Sequence, residues 1–316
     1  MEAQFSNDTF SWSLQIAKFD VSPEAVYPVF FTGTLIYLFS VLCNGIILAL
    51  ILTQRSLHKP MFYIMFSLPL ADLVGISSLL PRLLIDIITQ SNVVYYPTCV
   101  LQGFFLHLYG GGVYFILAAM AIDRYIAICK PLRYHSIMTP FTVGGVIALA
   151  WGTDIALEVM LFALQARLPK CKTYIVNVFC DNMSLVHLSC GGDTTVNNIY
   201  GLVVTGFMQV VSVGVQLFSY VQILKTCISH SQSDAKIKAV NTCLAQIITF
   251  ALFEIVCTTV ILSYRLQNVS PNAQKLCGIM TFTVPPVVNP IIYGMHTKDI
   301  RIAFLMVLKK IKVTFR

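Results

Sequence analysis

Seven stretches of the chain are almost continuously apolar, and short polar segments separate them. They run Pro28–Leu52, Phe62–Ile88, Cys99–Ile128, Phe141–Leu164, Val196–Leu224, Val240–Tyr264 and Ala273–Tyr293. A helix needs about 20 mostly apolar residues to cross the hydrocarbon core of a bilayer, so each run predicts one membrane-spanning helix. The runs are too long for barrel strands and do not alternate with period two. Gly and Pro inside several of them suit a bundle, where neighbouring helices satisfy the backbone groups they free. No internal repeat or low-complexity segment is visible. The predicted fold is therefore an all-α membrane protein, a seven-transmembrane helix bundle over residues 28–296 with a short amphipathic C-terminal helix. Residues 1–27 are expected to be an extracellular N-terminus and 297–316 a cytoplasmic amphipathic tail. In that tail Ile300, Phe304, Leu308 and Ile311 recur at helical spacing and form one stripe. Lys309, Lys310 and Lys312 would then lie near anionic lipid, which makes membrane lipid an expected partner.

Charge sets the orientation. Only 11% of the residues are charged, against about 25% in an average soluble domain, which argues against an ordinary soluble enzyme and against disorder. Seven spans place the termini on opposite sides. With the N-terminus outside, the inner segments hold 14 of the 21 basic residues, from Arg55 and Lys59 through Arg124, Lys130 and Arg133 to the tail. That excess predicts an extracellular N-terminus. The net charge of +7 is thus a topology signal, and no nucleic-acid partner is needed to explain it. The first 25 residues lack a basic start followed by an apolar core, so the first span is expected to act as its own insertion signal. Sequons stand at Asn7, Asn182 and Asn268, all on the predicted outer side, with Asn7 the expected glycosylation site.

The ten cysteines divide by compartment. Cys99, Cys171, Cys180 and Cys190 fall on the outer side, where disulfides persist. None of them forms a C-x2-C pair, which disfavours zinc, so no metal site and no cofactor are expected. Four cysteines allow three pairings, and spacing does not choose among them. Their expected role is to fold the outer loop, residues 165–195, as a lid.

Span two carries Asp72 in mid-membrane, and a lone intramembrane carboxylate is a functional candidate. Span three ends in Met120-Ala-Ile-Asp-Arg-Tyr-Ile-Ala-Ile-Cys-Lys-Pro-Leu-Arg-Tyr134, and span seven carries Pro285-Pro-Val-Val-Asn-Pro-Ile-Ile-Tyr-Gly294. With Asn44, Cys99, Trp151 and Tyr220, these residues resemble the rhodopsin-like G-protein-coupled receptors over about residues 28–312. The segments Leu57-His-Lys-Pro-Met-Phe62, Ser219-Tyr220 and Lys238-Ala-Val-Asn-Thr-Cys243 are similar to odorant-receptor signatures, and Pro285-Pro286 to the fish-like, class I branch.

The resemblance implies a receptor for small, water-soluble odorants, coupled to an olfactory-type stimulatory G protein that raises cAMP. It implies a multi-pass plasma-membrane location in the cilia of sensory neurons and disulfides Cys99–Cys180 and Cys171–Cys190. The switch would comprise Asp72, Asp123, Arg124, Tyr125, Tyr220, Asn289, Pro290 and Tyr293, with Asp123 paired to Arg124 in the inactive state. Two positions depart from the family pattern. Val113 stands where odorant receptors often carry Glu, and Glu254 stands where an aromatic is common.

The expected ligand cavity lies between the outer halves of spans three, five and six. His107 sits about two turns below Cys99, with Gly110, Gly111 and Tyr114 on the same face. The glycines would either leave room for a ligand or let helices pack closely. Met208, Glu254, Thr258, Ile261 and Arg265 complete the candidate lining. His107 and Arg265 would favour polar or acidic odorants. Asp154 and Glu158 share a face of span four, and Glu158 with Glu254 leaves an amine ligand open. The usual amine-binding Asp of span three is absent, since Leu106 occupies that position. A rhodopsin-like receptor for a non-odorant small molecule is the alternative reading. A membrane transporter is a remote one, lacking discontinuous or repeated helices, and no HExxH or GxSxG motif supports an enzyme.

Overall fold

The computed structural model describes residues 12–19, 21–229, 234–265 and 269–314, with side chains described except at 229, 234–242, 264–265 and 311–314. Seven of its helices are long and apolar enough to cross a membrane. They are α1 (Val26–Thr53), α2 (Pro60–Thr89), α3 (Tyr96–Cys129), α5 (Pro140–Ala166), α7 (Thr195–Ser229), α8 (Asp234–Arg265) and α9 (Pro271–His296). Two short helices, α4 (Tyr134–Ile137) and α6 (Asn182–His187), lie in connections, and α10 (Lys298–Thr314) follows the last span. Each predicted run falls within its helix. The largest departure is span six, where α8 begins at Asp234, several residues before the apolar run.

Helix starts follow local chemistry. Proline opens α2, α5 and α9, where its missing N–H costs nothing. Thr139 and Ser270 cap α5 and α9, each hydroxyl accepting a backbone N–H at 3.3 Å. Pro290 sits inside α9 and leaves the carbonyl of Pro286 without its helical donor. Across the interface, the Ser40 hydroxyl and the Asn44 amide of α1 donate to that carbonyl at 2.9 and 2.8 Å. The kink-prone segment of one span is thereby satisfied by another.

The centre of the bundle is α3, with 67% of its apolar window buried, against 22% for α5, α7 and α8. Its backbone carbonyls receive side chains from both neighbours. Gln216 of α7 and Gln246 of α8 both donate to Leu117 O at 3.0 Å, and Ser212 donates to Tyr114 O at 3.2 Å. Large apolar side chains such as Leu35, Leu42, Leu149 and Val210 face outward, as a lipid solvent permits.

One element was not legible as a pattern. A three-stranded sheet in the order β2-β1-β3 lies beyond the spans. Strand β1 (Ser13–Ile16) runs antiparallel to β2 (Val93–Tyr95) and parallel to β3 (Tyr174–Ile175). The strands have two to four residues, too few for a period-two signal. Leu14 and Ile16 of β1 are buried and pack with Cys99, Phe162 and Ile175.

Candidate ligand pocket and cytoplasmic switch

At the sheet end of the bundle, disulfides join Cys99 to Cys180 and Cys171 to Cys190. The first pins the loop after α5 onto the start of α3. The Cys180 N–H donates to Gln102 Oε1 at 3.0 Å, and Gln102 in turn donates to Ser78 O on α2 at 2.9 Å. Asp181 caps α6 by accepting the Ser184 N–H. Arg82 pairs with Asp86 one turn along α2 at 2.9 Å and also donates to Val93 O of β2. In the same loop, partial burial lowers the Lys170 ammonium to about 8, while Nζ donates to Gln165 O at 3.0 Å. The Thr195 hydroxyl and backbone N–H hold the exposed Asp193 carboxyl below its ordinary range. Asn182 is buried as the first residue of α6, and Asn7 and Asn268 lie outside the described residues.

Beneath this loop His107 is held from three sides. Its Nδ1 lies 3.4 Å from Glu158 Oε2 on α5, its Nε2 accepts the Asn182 N–H at 3.5 Å, and the Phe162 ring meets it edge-on. The two glycines that follow behave differently. A β-carbon at Gly110 would meet nothing within 4 Å, so open space adjoins it. At Gly111 a β-carbon would overlap the Asp154 carboxylate and crowd the buried Met208 of α7. Gly112 is also packed, less tightly, with Trp151 and Asp154 at 3.1–3.3 Å from a β-carbon there. The sequence left room for a ligand and close packing open for this stretch; Gly111 and Gly112 pack closely against α5, and Gly110 does not.

Asp154 is fully buried, and neither of its carboxylate oxygens has a hydrogen-bond partner. On α8 Glu254 is half-buried, its Oε1 is enclosed without a partner, and Tyr114 of α3 and Cys257 are its electrostatic neighbours. Ile261 is half-buried and Thr258 is exposed. The Arg265 side chain lies outside the described residues. The structure thus gathers His107, Gly111 and Met208 around Asp154 and Glu158.

Midway along the bundle, Asn289 of α9 donates to both oxygens of Asp72 at 3.1 and 3.0 Å. Tyr109 is a further electrostatic neighbour of Asp72, and its ring lies against Gly75, where a β-carbon would collide with it. Val113 is buried one turn further along α3.

At the opposite end, the expected Asp123–Arg124 pair is absent from the ion pairs among the described residues. Asp123 instead accepts the Tyr134 hydroxyl at 2.8 Å. Arg124 remains an electrostatic neighbour of Asp123. Tyr134, Tyr220, Cys243 and Tyr293 are further electrostatic neighbours of Arg124. Tyr125 meets Phe218 edge-on at 5.4 Å, and Lys130 lies over the Tyr125 ring. Pro290 is buried. Lys59 pairs with Asp299 at 2.9 Å and anchors the start of α10, where Ile300 and Ala303 are buried. Sequence reasoning missed Gln216 and Gln246, whose one signal was an amide inside an apolar run.

The sequence model of the olfactory receptor family matches residues 33–311. Human olfactory receptor 52B2 is 35% identical over 270 residues, covering 84% of this chain and 83% of its own length. Human olfactory receptor 52K2 is 35% identical over 280 residues, 86% of this chain and 87% of that one. Mouse olfactory receptor 1M1 is 30% identical over 287 residues, 90% of each chain. The crystal structure of squid rhodopsin superposes with a TM-score of 0.76 at 17% identity, covering 93% of this chain and 88% of that one, which is a likeness of fold. The chain belongs to the olfactory receptor family, a family of seven-span G-protein-coupled receptors that are not enzymes.

Proposed function

We propose that this receptor binds small, water-soluble odorants between the sheet-end halves of α3, α5, α7 and α8, and in response activates an olfactory-type stimulatory G protein that raises cAMP. The observation that carries the reading is the unfilled space beside Gly110. It lies one turn below a histidine held by Glu158 and by the loop that Cys180 anchors. His107, Gly110, Gly111, Met208, Glu254, Thr258, Ile261 and Arg265 are its candidate lining.

The N-terminus faces outside, as the excess of Lys and Arg on the other side supports, and Asn7 is the glycosylation site. The receptor sits in the plasma membrane of sensory cilia. Binding favours one of two global states. In the change, α8 leaves α3, breaking the Gln246 contact with Leu117 O, and Arg124 becomes available to the G protein. Asp72, Asp123, Tyr125, Tyr220, Asn289, Pro290 and Tyr293 rearrange with it. The exposed Lys309 and Lys310 of α10 meet anionic lipid of the inner leaflet.

Co-expression with the olfactory-type G protein and a cAMP assay against water-soluble acids, amines, alcohols and aldehydes tests the reading. A dose-dependent response that disappears in Arg124→Ala is expected. Silence across the panel, at confirmed surface expression, overturns the odorant assignment.

A further inference from the structure

We infer that a cleft at the sheet end, between the N-terminal segment, α1 and α2, binds a sterol of the surrounding bilayer. The inference does not depend on the odorant reading. The cleft has two parts, a hollow and a groove, and Val21 and Gln90 line both. The hollow has a volume of about 20 Å³ and is lined on its polar side by Lys18, Asp86, Gln90, Ser91 and Asn92. The groove has a volume of about 320 Å³ and is lined by Val21, Pro23, Val26, Tyr27, Ile88 and Gln90. Tyr27 is exposed and begins a stripe along α1, with the exposed Phe31, Leu35, Leu38 and Leu42 following at helical spacing. That stripe faces lipid, so the groove opens towards the bilayer.

The walls of the hollow are fixed. The Ala17 N–H donates to Ile175 O at 2.9 Å, and Lys275 Nζ of α9 donates to Lys18 O at 3.1 Å. Gln90 ends α2 in the left-handed conformation, φ 54°, that glycine usually takes there, and its amide donates to Ile87 O at 2.7 Å. Asp86 gives one oxygen to Arg82 at 2.9 Å, and the other, Oδ1, is enclosed without a hydrogen-bond partner. A buried acceptor left unpaired is costly, so this carboxylate calls for a donor. The hollow admits about one water-sized group, which excludes a phosphate-ester headgroup. Arg82 already balances the Asp86 charge and Lys18 lines the same hollow, so a cationic head gains little there. An anionic head would meet the Asp86 carboxylate. A neutral hydroxyl on a rigid apolar body suits both parts. The hydroxyl donates to the Asp86 carboxylate, and the ring system lies in the groove against Val26 and Ile88. That is the chemistry of a sterol.

The test uses purified receptor in phosphatidylcholine nanodiscs with a photoreactive diazirine cholesterol, the label being mapped by peptide mass spectrometry. Label is expected on the peptides that carry residues 21–27 and 88–92. Unlabelled cholesterol should compete about tenfold better than cholestenone, whose ketone cannot donate, a ratio that corresponds to about 1.4 kcal/mol. Val21→Trp fills the groove and should reduce label at the cleft while label elsewhere on the bundle is unchanged. Ile88→Trp supplies a second reading should Val21→Trp fail to fold, with melting in sterol-free nanodiscs as the check on folding. The competition ratio is read on the wild-type chain and needs neither variant. Label confined to other faces of the bundle, label at the cleft that survives both tryptophan variants, or equal competition by cholestenone overturns the inference. Displacement by hexanol in preference to cholesterol would give the cleft to an odorant, and displacement by phosphatidylserine would give it to a phospholipid; either overturns the sterol assignment.

Discussion

The Tyr134 hydroxyl donates to Asp123 at 2.8 Å, tying the short helix α4 to the end of the central span. Burial and the Asp123 carboxylate both raise the Tyr134 phenol above its ordinary value, so the donor keeps its proton throughout the physiological range. A hydrogen bond to a charged group is worth about 1.5–3 kcal/mol. If this bond belongs chiefly to the resting state, Tyr134→Phe raises basal cAMP per surface receptor, by roughly tenfold for each ~1.4 kcal/mol lost. Basal cAMP equal to wild type removes the contact from the switch.

Arg124 is expected to carry the coupling itself. Arg124→Ala should abolish odorant-driven cAMP, and antibody staining at the cell surface should stay at the wild-type level. Agonist-driven cAMP of normal amplitude from that variant contradicts the role.

Adjacent glycines of α3 give opposite expectations. Gly111→Ala drives a methyl group into the Asp154 carboxylate and towards Met208. Overpacking of this kind costs about 1–3 kcal/mol, so surface expression and thermal stability should fall. Gly110→Ala meets open space and should reach the surface normally while shifting odorant potency. Equal tolerance of the two changes would show that α3 and α5 are not packed through Gly111.

The two disulfides are not equivalent. Cys99–Cys180 closes a separation of 81 residues and both partners are fully buried, whereas Cys171–Cys190 closes 19. Loss of a native disulfide costs about 2–5 kcal/mol, and the longer ring should cost about 1 kcal/mol more on chain entropy alone. Cys99→Ser should therefore reduce surface expression further than Cys171→Ser, and the reverse order would place the loop's main anchor at the shorter ring.

Lys170 supplies a pH signature. Burial lowers its folded value to about 8 from 10.5, so between those values the unfolded chain binds more protons than the folded one. Stability then rises with pH across that window. Below pH 8 both states are protonated and the desolvation penalty is constant. The slope of melting temperature against pH in purified receptor should be steeper for wild type than for Lys170→Met across the window. Identical slopes would mean that the Lys170 ammonium stays solvated.

Much of this was legible in the chain because a bilayer imposes long apolar runs that need no tertiary knowledge to find. The same constraint makes isolated polar residues conspicuous, which is how Asp72, His107, Asp154, Glu158 and Glu254 stood out. What could not be read is which of several faces each residue turns inward. Gly110 and Gly111 are neighbours in sequence, yet one borders space and the other a carboxylate. Likewise, Asp123 was expected to pair with Arg124, and it takes its hydrogen bond from Tyr134 with Arg124 an electrostatic neighbour. The small sheet escaped because its strands are short and come from three distant segments.

That sheet has a consequence for biogenesis. Its central strand, Ser13–Ile16, is made first, and its two partners are Val93–Tyr95 and Tyr174–Ile175. The second partner follows roughly 160 residues later, which at about 5–20 residues per second is roughly 10–30 seconds of translation. Through that interval Leu14 and Ile16 stand without the full set of neighbours that bury them in the finished receptor. The sheet therefore closes only after α1, α2, α3 and α5 have been made, although its central strand precedes all of them.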